Sequence, residues 1–139
     1  MKTITFTTKQ QGSLLLESMI AILIFSLGVL AIVGLQGALI KSTTSAKYRT
    51  DASMLANQII GQMWVGDKTA ASLQTNFNSP SGANFVAWKA NITSTLPGIA
   101  TNPPTVVIDA NNVATVTIWW QSPGEAVPHN YVAIARVNG

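Results

Sequence analysis

The sequence predicts an α+β fold, in which a long N-terminal spine helix packs on a small three-stranded antiparallel sheet with one short extra helix. A helical pattern runs through residues 13–64, and the chain contains no proline before Pro80. Three runs rich in Val, Ile, Thr and Trp follow Pro103-Pro104, which is typical of strands. Between the spine and these runs, one segment has apolar residues at helical spacing.

The first half of the spine helix is apolar on every side. Between residues 14 and 40 the one charged residue is Glu17, and the next charge is Lys41. About 20 apolar residues suffice to cross a bilayer as a helix, so this segment is long enough. A carboxylate inside it costs about 2.5–3.5 kcal/mol at the bilayer centre and less near the end. Glu17 is therefore a candidate functional residue that needs a positive partner.

Beyond Lys41 the helical pattern continues but becomes amphipathic. Apolar residues recur at three- and four-residue steps, at Tyr48, Ala52, Leu55, Ala56, Ile59 and Met63. We expect this half to dock on a head domain and to end at Gly66.

A loop and a second helix are expected next. Residues 67–81 are small and polar, which predicts a loop that can include a short helical piece. A short amphipathic helix should follow, with Asn84 as its N-cap and Pro97-Gly98 as its stop. Its apolar positions are Phe85, Trp88, Ile92 and Leu96.

The last third of the chain predicts a meander of three strands, at residues 105–109, 113–121 and 131–137. Asn111-Asn112 suits a tight hairpin turn, and residues 122–128 suit a longer loop. Trp119 and Trp120 alternate across the second strand, so one ring should pack against the spine helix while the other stays partly exposed.

The most specific motif lies before the apolar segment. A short polar leader with Lys2 and Lys9 ends at Gly12, and Glu17 stands five residues later, followed by an uncharged helix. An ordinary secretory signal is cleaved after an apolar core of about 7–15 residues, whereas this run is longer and no such site follows it. The pattern resembles the class III signal of type IV pilins and type II secretion pseudopilins.

This resemblance implies processing and assembly roles for three residues. In the family, a dedicated prepilin peptidase cuts after the glycine on the cytoplasmic side and methylates the new amine. Cleavage would fall between Gly12 and Ser13, methylation on Ser13, and Glu17 would pair with a terminal amine, its own or a neighbour's. The family usually has Phe at the position of Ser13, so this chain departs from the pattern there.

The resemblance also implies an organisation, a location and partners. Residues 1–12 would be a cytoplasmic leader that is removed, 13–40 the transmembrane and assembly half of the spine, and 41–139 an extracytoplasmic, pilin-like head. The chain would cross the bacterial inner membrane once, with its N-terminus in the cytoplasm, and later join a pilus fibre at the cell surface. Its partners would be the prepilin peptidase, other major and minor pilin subunits, and the assembly platform of the inner membrane.

Small residues in the apolar half are candidates for close helix packing. They are Gly28, Ala31, Gly34 and Ala38. In lipid, small faces let helices approach closely, and Gly34 with Ala38 fits the small-xxx-small spacing. Glycines are also commoner in membrane helices generally, so a neutral explanation stays open.

Composition excludes several function classes. Without Lys2 and Lys9 the chain has six basic and five acidic residues. This near-neutral balance lacks the excess of positive charge typical of nucleic-acid-binding proteins. The chain has no cysteine, so disulfides, thiolate metal sites and a cysteine nucleophile are excluded. His129 is the one histidine and predicts no metal site. Asn91 begins a glycosylation triplet, which is frequent by chance. With no catalytic motif present, we expect neither an enzyme nor a cofactor.

A second, looser resemblance concerns the head. A short helix ending in Leu-Pro-Gly at residues 96–98 and a Val-Thr-Ile-Trp strand at 116–119 resemble minor pilins of the PilV type, relatives of the small type II secretion pseudopilin called I. We expect a minor pilin that primes or joins a type IV pilus. The alternatives are a minor pseudopilin, a membrane-tethered adhesion module that never polymerises and keeps residues 1–12, and a DNA-uptake pilin.

Overall fold

Three helices precede a three-stranded antiparallel sheet in this computed structural model, which describes residues 11–138. The helices are α1 (Gln11–Val65), α2 (Ala70–Phe77) and α3 (Ala83–Thr95), and the strands are β1 (Thr105–Ile108), β2 (Val113–Trp120) and β3 (His129–Arg136). The predicted α+β class and the order β1-β2-β3 are confirmed. The chain divides between Ser42 and Thr43 into two compact units, which are described separately.

The N-terminal unit contributes the first part of α1. Every residue from 13 to 42 is exposed. Two hydroxyls in this segment bond to carbonyls four residues earlier: Ser18 Oγ donates to Leu14 O at 2.8 Å and Ser26 Oγ donates to Ile22 O at 2.7 Å. Such bonds satisfy a hydroxyl within the helix itself, which an apolar environment requires.

The second unit has a core formed by the remainder of α1, the two short helices and the sheet. Five of the six apolar positions predicted on α1 are buried, and Tyr48 packs against the cluster at its margin. From the sheet, alternate residues of β2 face this core, at Ala114, Val116, Ile118 and Trp120. Trp88 of α3 is 1% exposed, and its Nε1 donates to Leu55 O of α1 at 2.9 Å. This half of α1 therefore docks on the head, as the amphipathic pattern predicts.

Two predictions between Gly66 and Pro97 are wrong in detail. The helical piece allowed within the predicted loop is a full eight-residue helix, α2, so there are two short helices where one was predicted. Thr69 caps α2 by accepting from Ser72 N, and Leu73 and Phe77, one turn apart, are buried. Burial of those two side chains against the core stabilises α2, although its mostly polar sequence does not predict a helix.

The start of α3 also differs from the prediction. Its N-cap is Gly82, without a side-chain cap bond, and Asn84 lies inside the helix. After α2 the chain turns back so tightly that a Cβ on Gly82 would lie 2.5 Å from the backbone oxygen of Asn76. A residue without a side chain is therefore required where α3 begins, and this contact overrides the capping preference of asparagine. The predicted stop is confirmed, since α3 ends at Thr95 and Gly98 adopts φ +80°.

Residues in the last turn of α2 and just after it form hydrogen bonds with the backbone of β1 along the edge that faces away from β2. Ser79 N–H donates to Val106 O at 2.9 Å, and Val106 N–H donates to Ser79 Oγ at 3.3 Å. Ile108 N–H donates to Asn78 Oδ1 at 2.8 Å, and Gln74 Nε2 donates to Ile108 O at 3.1 Å. The backbone groups of β1 that face away from β2 are thus bonded within the head.

The predicted tight turn between β1 and β2 is confirmed. Asn112 adopts φ 59°, a left-handed conformation that asparagine tolerates well. Asp109 Oδ1 accepts from the N–H groups of Asn111 and Val113, each at 2.8 Å. Because these bonds favour the carboxylate form, led by the one from Val113, the pKa of Asp109 lies below its ordinary value of 3.8.

Candidate functional site

The processing motif lies at the start of α1. Most of the expected leader falls on residues 1–10, which lie outside the described residues, and Gly12 and Ser13 belong to the first turns of the helix. Glu17 is exposed, and among the described residues its side chain makes no hydrogen bond or ion pair. The structure therefore places an acid on an apolar helix with no partner of its own in residues 11–138.

The helix around Glu17 presents a bare apolar surface. Large side chains on all sides are exposed, for example Leu15 at 70%, Phe25 at 72% and Ile40 at 65%. Within the described chain, α1 is the one helix long and apolar enough to cross a membrane by length and composition. A signal sequence near an N-terminus meets the same criterion. In water such a surface would be strongly unfavourable, so it needs lipid or other helices to cover it.

Three of the four small residues share the side of α1 that carries Glu17. Each residue of an α-helix turns by about 100°, which places Gly28, Ala31 and Ala38 within about 60° of Glu17 around the axis. Gly34 lies about 100° from Glu17, at the margin of this side. A Cβ built on Gly28 or Gly34 would meet no atom within 4 Å. No contact inside the described chain therefore requires a glycine at either position.

Two polar side chains, Glu125 and His129, contact each other across the loop between β2 and β3. His129 Nε2 lies 2.9 Å from Glu125 Oε2, and the His129 ring stacks on Trp120 with centroids 5.8 Å apart. The hydrogen bond from His129 is the main cause that lowers the pKa of Glu125 below its ordinary value of 4.5. Within residues 11–138 no three His, Asp or Glu side chains are grouped so as to hold a metal ion.

The tandem tryptophans divide as the strand alternation predicts. Trp120 is 2% exposed and belongs to the core that includes α1, whereas Trp119 is half-buried on the outer face of the sheet. Asn91 is exposed on α3, and its carbonyl accepts from the hydroxyls of Ser94 and Thr95.

One surface of the head escaped the sequence reasoning, namely the free edge of β3. The strand was expected, but its place at an edge depends on strand order, and the sealing of the opposite edge depends on Asn78 and Ser79. The sequence of β3 alone predicts neither its position at an edge of the sheet nor the hydrogen bonding of the opposite edge.

Comparison of the chain with protein-family models, with curated proteins and with solved structures gives no match.

Proposed function

We propose that this chain is a minor subunit of a type IV pilus, a non-enzymatic protein that primes or joins the fibre after its leader is removed. The Leu-Pro-Gly and Val-Thr-Ile-Trp segments, which resemble minor pilins of the PilV type, support this choice. The runner-up is a minor pseudopilin of type II secretion, because the PilV type is related to the small pseudopilin called I. The proposal rests on one observation: an acid five residues after Gly12 stands unpaired, within the described residues, on the mainly apolar part of α1 in which every residue from 13 to 42 is exposed.

A cationic group on a neighbouring subunit would remove the cost of that acid. After cleavage, the amine of Ser13 is the nearest positive charge that the family pattern supplies. Four residues of helix span about 6 Å. A neighbour shifted along the axis by about one turn can therefore bring its amine to the Glu17 carboxylate, while the apolar surfaces of the two helices cover each other.

The helix geometry supports packing on the same side. Gly28, Ala31 and Ala38 follow Glu17 along one side of α1 and leave room for a neighbouring backbone. The inner-membrane location, the prepilin peptidase, the other subunits and the assembly platform belong to this proposal.

The intact mass of protein extracted from membranes of the native host tests the processing step. We expect the mass of residues 13–139, with or without one methyl group. Gly12→Leu should retain the leader, because a side chain at the scissile residue hinders close approach of a protease. A mature-size Gly12→Leu product, or a wild-type protein with its leader intact, would contradict the proposal and favour a tethered module that never polymerises.

Pilus and secretion assignments differ in their partners, and co-purification of the processed protein with pilus subunits or with secretion subunits separates them. Binding of the head to DNA that weakens steeply with salt would instead revive a DNA-uptake role.

A further inference from the structure

Two opposite charges bracket the apolar part of α1. Glu17 lies near its start and Lys41 at its end, 24 residues apart in one continuous helix. Both belong to the unit that ends at Ser42. The polar side chains between them carry no charge, and they are Ser18, Ser26 and Gln36. The segment therefore has one negative charge at one end and one positive charge at the other.

Neither charge is paired inside the described chain. The ion pairs within residues 11–138 join Lys47 to Asp51 and His129 to Glu125. Glu17 and Lys41 are both exposed, as is every residue between them. Whatever covers the apolar surface of this segment must therefore also accommodate a carboxylate at one end and an ammonium group at the other.

The separation of the two charges matches the layers of a lipid bilayer. At 1.5 Å per residue they lie about 36 Å apart along the helix axis. The hydrocarbon layer of a bilayer is about 30 Å thick, and the headgroups extend the total to about 40–45 Å. With the segment centred, each charge lies about 18 Å from the midplane. This depth is outside the hydrocarbon and inside the headgroup layer on both sides.

Helix tilt does not change this result. Transmembrane helices tilt by about 20° on average, which reduces the separation along the bilayer normal to about 34 Å. Even a tilt of about 30° leaves about 31 Å, slightly more than the hydrocarbon thickness. Both charges therefore stay outside the hydrocarbon over most of the range of tilts that such helices adopt.

We propose that, before assembly, the partners of Glu17 and Lys41 are the two headgroup layers of a bilayer. Glu17 lies among the ammonium groups of zwitterionic lipids in one layer, and Lys41 lies among lipid phosphates in the other. The charges are complementary, since a carboxylate accepts hydrogen bonds from ammonium groups and a lysine donates to phosphate oxygens. This inference rests on the membrane location in the proposed function, and it specifies what Glu17 contacts before a neighbouring subunit supplies an amine.

The two charges together fix the depth of the helix. A displacement along the axis in either direction moves one of them into the hydrocarbon, which is unfavourable for any ionised side chain. In the headgroup layer the carboxylate of Glu17 keeps contact with water. It loses that contact only when the chain leaves the bilayer for a place among other helices. The pairing with a neighbour's amine therefore belongs to that transfer and not to insertion in the membrane.

Single cysteines measure these depths, because the chain has no cysteine of its own. Ser18→Cys lies beside Glu17, Ser42→Cys lies beside Lys41, and Ser26→Cys would lie about 5 Å from the midplane. The full chain is placed in vesicles of phosphatidylethanolamine and phosphatidylglycerol at a low ratio of protein to lipid. A membrane-impermeant maleimide is then supplied on both faces.

We expect Ser18→Cys and Ser42→Cys to react readily with the maleimide. Ser26→Cys should react more slowly by about tenfold or more, because apolar surroundings disfavour the reactive thiolate.

A charge variant tests whether Glu17 sets the depth. In the Ser18→Cys background, Glu17→Leu should slow labelling by about threefold or more, because residues 14–17 are then free to enter the hydrocarbon and draw residue 18 inward. Ser26→Leu is the matched control, since it replaces an uncharged residue between the two charges. It should leave the labelling of Ser18→Cys within about twofold of its original rate.

Three outcomes would overturn the proposal. Labelling of Ser18→Cys as slow as that of Ser26→Cys would place the acid within the hydrocarbon. An unchanged rate in the Glu17→Leu variant would show that the charge does not fix the depth. Disulfide-linked Ser18→Cys dimers in most of the protein at the same low ratio would assign this surface to a second copy. The labelling requires neither cleavage nor pili, so an intact leader would contradict the proposed function and leave this result unaffected.

Discussion

Single residues in the head show how far a few hydrogen bonds determine the local path of the chain. Trp88 is both the largest fully buried side chain and the donor that joins α3 to a carbonyl of α1. Its indole gives the contact area that a small core needs, and its N–H is bonded as a buried donor must be. The helical spacing of Trp88 predicts its burial, whereas its bond to Leu55 depends on how the two helices cross.

Asp109 has a measurable role at the same scale. Its carboxylate accepts two backbone N–H groups in the turn before β2, and its pKa is lowered, led by the bond from Val113. A carboxyl group whose pKa is lower in the folded state than in the unfolded state stabilises the fold at pH values above the unfolded-state pKa. This contribution is lost as the pH falls through the folded-state pKa.

We therefore expect Asp109→Asn to melt at a lower temperature than the wild type at pH 6. This difference should shrink as the pH falls below 3.8, the ordinary value for the carboxyl group. Melting of the full chain in detergent, followed by near-ultraviolet circular dichroism across pH, measures both effects. Asp67 and Glu125, whose pKa values are also lowered, are common to both proteins and cancel in the comparison. A difference independent of pH would contradict this account.

At the scale of elements, the start of α3 at Gly82 lies close to the backbone at the end of α2. A Cβ on Gly82 would meet Asn76 O, Asn76 C and Phe77 N at 2.5, 2.6 and 2.8 Å. All three are backbone atoms, which cannot move aside as a flexible side chain does. The connection between the helices is short because the glycine lets the chain return directly over the end of α2.

Gly82→Ala should therefore destabilise the head by about 1–3 kcal/mol, the usual cost of forcing an atom into packed surroundings. Gly61→Ala is the matched control, because Gly61 lies exposed inside α1 and its added Cβ would meet nothing within 4 Å. That variant should gain about 0.5–1 kcal/mol, since alanine restricts the unfolded chain and favours helix. Urea titration in detergent gives the free energies, and equal effects of the two substitutions would refute the role of the contact.

At the scale of the whole molecule, the chain combines an apolar helical segment, which no residue in the range 11–138 covers, with a small folded head. Residues 14–40 lie exposed to a degree that water would not tolerate, whereas the head buries its own apolar residues. We infer that lipid and the helices of other subunits cover the apolar residues 14–40. We also infer that Glu17 determines where along the helix a neighbouring subunit binds.

Replacing Glu17 by Gln tests that inference. The variant should still insert in the membrane and be cleaved, because the apolar segment and Gly12 are unchanged. Without the anionic partner for a neighbouring amine, it should enter sheared pili at about a tenth of the wild-type amount or less, the loss that about 1.4 kcal/mol of pairing energy produces. Quantitative immunoblots of cell and pilus fractions provide the measurement, and Ser18→Ala is a control on the same turn. Normal incorporation of Glu17→Gln would remove the pairing argument.

Much of the fold was predictable because its signals are local and periodic. The apolar positions of α1 from Ala52 to Met63, the three strands and the turn at Asn112 each depend on spacing or on intrinsic preference. Helix α2 was predicted as no more than a helical piece of a loop, because its two buried residues, Leu73 and Phe77, have too few apolar neighbours to show a period. Asn84 was misplaced as a cap because a distant backbone contact at Gly82 outweighs a side-chain preference.

The amino-acid sequence alone determined the apolar helix, the position of Glu17 relative to Gly12 and the alternation of the strands, since each is a matter of residue order along one element. Only the tertiary structure decided that the side chains at the end of α2 close the β1 edge and that β3 keeps its edge open. The reason is physical: the free groups of a strand depend on which neighbours lie beside it, and residues far apart in the chain supply those neighbours.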